Sequence, residues 1–414
     1  MTSPTSGDRE KIVSKLPGSL QQELKIRTAQ RGIDIQHAVE EGIQAWSSLG
    51  SNLATIDTTG AKSYSTWLPS GQWDRFRTDC ASRGVPLVQG LAQSVSLWLD
   101  TNPAPGVQRP VLVKRLIVCN QKGGVGKTAV TAGTGQAFAE DADQLFAVGV
   151  SKHFAQARAE GGGAAIDEPI HEQLPGLGLR VLLVDYDPQG HLTRQLGHEL
   201  LSHDGDSLTN HMAGTAQGKL SDLVVAVDGE RFGDRLHLLP ACTDAFLLDV
   251  KLSGVRAREA ALERALTPLE DEYDAILIDC PPSLGLSMDT AVYYGRRRDG
   301  EAPGNSGALV VVQAEDSSAD AYGLLTSQID DLRADMAIDL DYLGIVINHY
   351  DARRGFIATS SLESWMAIRD PRVVGLIGDL KEQKEAVRMK QPLLDYAPRC
   401  QQSVAIRALA REIA

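Results

Sequence analysis

The strongest constraint in this chain is one octapeptide, Gln121-Lys122-Gly123-Gly124-Val125-Gly126-Lys127-Thr128, and what flanks it. Before it, within Val113–Asn120, runs Leu116-Ile117-Val118-Cys119, an uninterrupted apolar stretch of the kind that forms a strand buried on both faces. After it, an Ala-rich pattern continues to about Glu140 and reads as a helix. Strand, glycine loop and helix together make a phosphate cradle. The glycines let backbone N–H groups approach closely, and the helix N-terminus adds partial positive charge. The loop backbone comes from Gly123, Gly124, Val125 and Gly126; the spacing places Lys127 at the β- and γ-phosphates and the Thr128 hydroxyl at Mg²⁺. This loop commits the chain to an α/β domain, a mainly parallel sheet flanked by helices.

Two further apolar strands end in carboxylates. Arg180–Val184 leads into Asp185-Tyr186-Asp187-Pro188-Gln189-Gly190, and Tyr273-Asp274-Ala275-Ile276-Leu277-Ile278 leads into Asp279-Cys280-Pro281-Pro282. Strand ends of one parallel sheet gather along its carboxyl edge, so these acids should converge on the glycine loop. Ala308–Val312 and Leu343–Ile347 read as two more strands.

The loop itself departs from the common pattern, with Gln121 at the usual first glycine and an extra lysine, Lys122. It resembles the deviant Walker A motif of the ParA/MinD group of P-loop ATPases, and Asp185-Tyr186-Asp187-Pro188-Gln189-Gly190 resembles the second signature of ParA proteins. The resemblance covers roughly residues 112–414. It implies ATP and Mg²⁺ as cofactors and a homodimer in which Lys122 reaches the partner's nucleotide. Carried over by position, Asp187 orients or deprotonates the attacking water, Asp185 supports the metal site, Asp279 holds a Mg²⁺-bound water, and Asn348 reads adenine. It further implies nonspecific DNA binding by the closed dimer, assigned to Arg353, Arg354, Arg388 and Lys390. Release would follow hydrolysis stimulated by a ParB-like centromere-binding protein, and the cycle would drive plasmid or chromosome partition in the cytoplasm, on the nucleoid. Two other readings stay open: a MinD-like positioner of a non-DNA cargo, and a repressor whose operator affinity depends on nucleotide. The C-terminal Ser403–Ala414 is short and lacks large aromatic anchors, which weighs against a membrane partner.

The first hundred residues repeat with an ungapped offset of 52: Leu16-Pro17 aligns with Leu68-Pro69, Arg31-Gly32 with Arg83-Gly84, and Trp46 with Trp98. Apolar or small residues recur with helical period in Ile35, Ala38, Val39, Gly42, Ile43, Trp46 and again in Leu87, Gly90, Leu91, Ser94, Val95, Trp98. Each copy starts with a short extended stretch, Lys11–Leu16 or Ser63–Leu68, closed by proline. Strand, proline, helix, glycine, helix resembles a ribbon-helix-helix module, normally a dimer whose paired strands enter the DNA major groove. Two copies in one chain would form that pair internally. Alternation then selects Lys11, Val13, Lys15 and Ser63, Ser65, Trp67 for the outer face. Lysine and serine suit phosphates and base edges, while Val13 and Trp67 are unusual there. A helical dimerisation or protein-docking module is the alternative.

Composition sets the remaining bounds. At roughly 150 residues per domain, 414 residues suggest two or three domains. The first 109 residues carry 11 Lys+Arg against 10 Asp+Glu, a net of +1, so all of the chain's excess negative charge (formal net −13) lies in the larger part. Such a balance excludes a protein that coats nucleic acid with its whole surface and leaves local sites. The Pro- and Gly-rich 101–111 reads as a linker between a module at 1–100 and an ATPase domain at 112–414. Five scattered cysteines read as reduced cytosolic thiols, and the polar start excludes a signal peptide. The 63 residues from Lys122 to Asp185 are long for the group, so 141–178 reads as a surface excursion with a helical part. A second excess, 296–307, opens with Arg296-Arg297-Arg298, read as a solvated run or a DNA contact.

Overall fold

The computed structural model describes residues 9–49, 53–106, 110, 112–160, 172–283, 285–315 and 317–414. They fall into two compact units, one ending at Gly106 and the other reaching to Ala414.

In the N-terminal unit, β1 (Arg9–Leu16) and β2 (Lys62–Pro69) pair antiparallel, with Lys11 opposite Trp67, Val13 opposite Ser65 and Lys15 opposite Ser63. Strand side chains alternate between faces. Ile12, Leu16, Tyr64, Thr66 and Leu68 point inward, whereas Lys11, Val13, Lys15, Ser63, Ser65 and Trp67 are exposed. Each strand leads through its proline to two helices: α1 (Gly18–Arg31) and α2 (Ile35–Ser48), then α3 (Gln72–Ser82) and α4 (Leu87–Thr101). Gly32 ends α1 in the left-handed region at φ 63°, which glycine adopts without a Cβ penalty. Trp46, Phe76, Val39, Leu91 and Trp98 fill the core between the helices. Helix α4 includes Thr101, one residue into the stretch read as linker; residues 107–109 and 111 of that stretch lie outside the described residues.

The second unit is built on an eight-stranded sheet. Its strands are β3 (Lys114–Cys119), β6 (Val181–Asp185), β7 (Val225–Ala226), β8 (Leu236–Leu239), β9 (Ala275–Asp279), β10 (Gly307–Gln313), β11 (Tyr342–Tyr350) and β12 (Val373–Gly378). Their order is β12-β11-β10-β3-β9-β6-β8-β7, parallel except for the β7–β8 pair. β3, β6 and β9 are buried along their whole length. Alternating residues feed two apolar layers. One contains Ile117, Leu182 and Ile276; the other contains Leu116, Leu183 and Leu277, packed with Val130 and Phe138 of α5 (Lys127–Ala139). Ile406, Leu409 and Ile413 of the C-terminal helix Gln401–Ile413 join this second layer, so the apolar face of that helix is occupied within the core. Among the described residues, no helix is long and apolar enough to cross a membrane. All five cysteines are free thiols.

The described part of the first sequence excess holds the helical part expected of it and a small sheet besides, and the second is a loop pinned by ion pairs. The first contains β4 (Leu145–Val148) and β5 (Glu172–Pro175), paired as a small sheet, besides the helix Lys152–Glu160; residues 161–171 lie outside the described residues. Phe146 and Phe154 bury its inner side, and the buried Arg407 reaches both carboxylate oxygens of Glu140 at 2.7 Å as well as the Ala147 and Pro398 carbonyls.

The second excess overturns the reading of Arg296–Arg298 as a solvated run or DNA contact. Arg296 pairs with Glu263, Arg297 with Asp339 and Asp341, and Arg298 with Glu263 and Glu270. Their charges close a loop onto the domain because acidic partners meet them from three neighbouring segments. The same loop delivers Glu301 to the fully buried Arg115. Burial alone would raise the Glu301 carboxyl, but hydrogen bonds from the Ser306 hydroxyl, the Arg298 N–H, the Asn305 amide and Arg115 hold it at about 2, below the ordinary 4.5. A depressed carboxyl contributes stability that is complete above the unfolded-state pKa and is lost as pH falls through the folded-state value. Glu301→Gln is therefore expected to cost about 3–5 kcal/mol at neutral pH by stranding Arg115. It should also flatten the loss of stability as pH falls from 4.5 toward 2. Urea unfolding of both proteins across that range checks the slope.

Candidate functional site

The site lies where β3 ends. The loop after Cys119 enters α5 through Gly126, whose φ of 87° sits in the left-handed region. A Cβ there would fall 2.0 Å from Asn348 Nδ2, so glycine is required twice over, by conformation and by contact. Four side chains brace the loop, from the end of β3, the short helix His191–Gln195, and the carboxyl ends of β10 and β11. Asn120 Oδ1 accepts from the Lys122 N–H at 3.0 Å while its Nδ2 donates to the Val311 carbonyl. Asn348 Nδ2 donates to the Val125 carbonyl at 2.9 Å, Gln313 Nε2 to the Gly124 carbonyl at 3.2 Å, and Gln195 Nε2 to the Thr128 carbonyl at 3.2 Å. Thus Gly123–Thr128 are held as a preformed cradle. Asn348 also lines a small cavity with Ala129, Ile377 and Leu380 at the ends of β11 and β12, beside the loop.

Lys127 is 6% exposed and its Nζ donates to the Lys122 carbonyl at 3.2 Å. Burial pulls its ammonium below the usual value, opposed by Asp279, Cys280, Cys119 and Asp187. Asp185 and Asp279 stand side by side as paired residues of β6 and β9. Asp279 is fully buried; Thr131 donates to its Oδ1 at 3.2 Å and Thr128 hydrogen-bonds its side chain. Burial first, then the neighbouring Asp185 charge, pushes its carboxyl up to about 8. Asp185 is pushed by burial to about 6 although the Thr193 hydroxyl and N–H donate to its Oδ2 at 2.6 and 2.7 Å.

Asp279 Oδ2 and Asp185 Oδ1 are buried with no hydrogen-bond partner in the protein. Buried polar atoms are rarely left so, and two such oxygens beside a hydroxyl suit the water shell of Mg²⁺, which keeps several waters and takes few protein ligands. Among the described residues no group of three His, Cys, Asp or Glu side chains could hold a metal alone. The residues therefore fit a metal that arrives with phosphate oxygens.

Asp187, two residues beyond the strand, is 9% exposed and closes a turn in which Gln189 N–H donates to its Oδ1 at 2.9 Å. Lys122 is turned toward its own chain: its Nζ lies 3.3 Å from Glu315 Oε2, and Arg354 reaches the other oxygen of Glu315 at 2.9 Å. Arg353 forms two bonds to Asp351. Arg388 and Lys390 lie exposed at the end of the helix Lys381–Met389, Lys390 with Glu199 at 3.7 Å. The four cations read as a DNA patch are thus spread over two elements, and three of them already face a carboxylate. Asn120, Gln195, Gln313, Thr193 and Glu315 went unnoticed in the sequence. Only Thr193 and Gln195 carried a local hint, following the Asp-Pro-Gln-Gly turn.

A glycine cradle at the carboxyl edge of a parallel sheet, with a buried lysine and paired strand-end aspartates, defines a P-loop nucleotide site. Comparison with known proteins agrees. A family model described as an AAA domain matches residues 168–340. An uncharacterized protein of Pseudomonas putida is 31% identical over 209 residues, 49% of this chain and 72% of that protein. The chromosome-partitioning ATPase Soj of Thermus thermophilus is 29% identical over 313 residues, covering 73% of this chain and 95% of that one. Cobyrinic acid a,c-diamide synthase of Mycobacterium smegmatis, solved with an ATP analogue and magnesium, superposes with a TM-score of 0.50 at 25% identity, over 72% of this chain and 93% of that one. The chain belongs to the ParA/MinD-type P-loop ATPases.

Proposed function

We propose that this protein is a ParA-like partition ATPase: it closes as a homodimer on binding Mg-ATP, binds DNA in that state, and is released when a ParB-like partner stimulates hydrolysis. In this reading it works on the nucleoid, in the cytoplasm. The observation that carries it is Lys122. A phosphate loop needs one lysine, and Lys127 fills that place; the second lysine stands on the rim of the loop, 25% exposed and 3.3 Å from Glu315, and in the closed dimer it would exchange that carboxylate for a neighbour's phosphates. Similarity to Soj supports the partition role.

The nucleotide's metal supplies charge neutralisation on the transferred phosphoryl group; the remaining work is positioning. Loop N–H groups and Lys127 hold the phosphates, Thr128 offers its hydroxyl to the metal, Asp279 and Asp185 hold its waters, and Asp187 orients or deprotonates the attacking water. Asn348 serves the adenine end. DNA contact falls to Arg353, Arg354, Arg388 and Lys390 in the dimer, and to the N-terminal ribbon through Lys11, Lys15, Ser63 and Ser65. A membrane-positioning role is disfavoured because the C-terminal helix uses its apolar face within the core.

Lys122→Ala is expected to bind ATP within a few-fold of the parent yet fail to form the ATP-dependent dimer. Light scattering with ATP checks this; normal dimerisation of the variant would remove the role given to Lys122.

A further inference from the structure

The N-terminal ribbon has a two-fold axis that its core keeps and its outer face discards. Because the copies are offset by 52, residue 13 is equivalent to residue 65, and these two stand opposite one another, so the pseudo-axis passes through the Val13–Ser65 pair. Inside, the equivalent tryptophans make equivalent bonds. Trp46 Nε1 donates to Gln93 at 3.0 Å and Trp98 Nε1 donates to Glu41 at 2.9 Å; Trp46 matches Trp98, and Glu41 matches Gln93. The helices cross at Gly42 and its equivalent Ser94, where a Cβ on Gly42 would fall 2.6 Å from the Ser94 carbonyl oxygen. Both halves of a pseudo-dimer are therefore packed within one chain, and the sheet is complete without a second copy.

Outside, every equivalent pair differs. Lys11 matches Ser63, Val13 matches Ser65, and Lys15 matches Trp67. One end of the ribbon presents Lys11 beside Trp67, the other Lys15 beside Ser63. Trp67 is 45% exposed and Val13 66%, a large exposed apolar surface for a ribbon whose inner face is well packed.

We infer that this ribbon recognises a non-palindromic duplex DNA site, with Lys11 and Trp67 reading one half and Lys15 and Ser63 the other. The inference rests on the proposal above that the ribbon is a DNA face. A symmetric dimer meets a palindrome because both half-sites see the same side chains; here they do not. Lysine favours guanine O6 and N7, and apolar groups favour the thymine methyl, so thymine is expected beside Trp67 and not at the equivalent place beside Ser63.

Selection of duplexes from a random library by the full, nucleotide-free chain tests this, with Lys11→Ala, Lys15→Ala and Trp67→Ala selected in parallel. The expected result is one asymmetric motif. Lys11→Ala and Trp67→Ala should relax the same half and Lys15→Ala the other, each weakening the parent's site by about tenfold. A palindromic motif, or variants that relax both halves alike, would overturn the asymmetry while leaving the ribbon as a DNA face. Failure to enrich any sequence, with ribbon variants binding DNA like the parent, would overturn the DNA face as well and assign the ribbon to a protein partner.

Discussion

Lys127→Ala is expected to weaken ATP binding by at least about thirtyfold. Lys127 is the one buried ammonium among the loop carboxylates, and no other described cation sits inside the cradle. Removing one partner of a buried, hydrogen-bonded charge pair costs about 2–5 kcal/mol, and each 1.4 kcal/mol is about tenfold in affinity. A loss of about thirtyfold to several-thousandfold follows. The fold should survive, because burial already holds the Asp279 carboxyl at about 8 and loss of the Lys127 charge, which lowers it, favours the neutral form further. Calorimetric titration with Mg-ATP beside a thermal melt separates lost binding from lost structure. Binding within a few-fold of the parent would move the phosphates away from this loop.

Asp187→Ala is expected to have the opposite signature: ATP bound, hydrolysis lost and the dimer held closed. The Asp187 carboxylate accepts from the Gln189 N–H within its own turn and is not among the residues bracing the phosphate loop. Its removal should leave binding intact within a few-fold. General acid–base assistance is worth about 10²–10⁴ in rate, so single-turnover hydrolysis should fall by about that factor. Gel filtration with ATP should then show a dimer that persists over the hours in which the parent returns to monomer. Unchanged turnover would shift the water-positioning role elsewhere, and simultaneous loss of ATP binding would make Asp187 part of the cradle.

The elements legible in the sequence were those whose signal is local. β3, β6 and β9 announced themselves as apolar runs because a parallel strand is buried on both faces, and the loop between β3 and α5 showed itself through glycine spacing. The ribbon was visible because one pattern occurs twice. What escaped were contacts without local signature. Gln313 braces Gly124 from 189 residues away and Asn348 reaches Val125 from 223; neither residue type nor neighbours mark such a pairing. Arg296–Arg298 misled for the same reason, since an arginine run looks alike whether solvated or ion-paired, and its acidic partners lie as far as Glu263 and Asp341. For Asn348 the resemblance implies an adenine-reading role, whereas its bond to the Val125 carbonyl had no signal in the sequence. In the first excess, two strands of four residues each are too short to stand out, and only their pairing reveals them.

A partition ATPase of the kind proposed couples its nucleotide state to DNA. The most direct measurement is DNA binding and ATP hydrolysis by the full chain with nonspecific duplex present or absent. Tight binding with Mg-ATP, weak residual binding with Mg-ADP, and hydrolysis that rises when DNA is added are the expected results. The affinity for DNA should fall steeply with salt, as phosphate contacts require. Hydrolysis indifferent to DNA, with equal DNA affinity in both nucleotide states, would contradict that coupling.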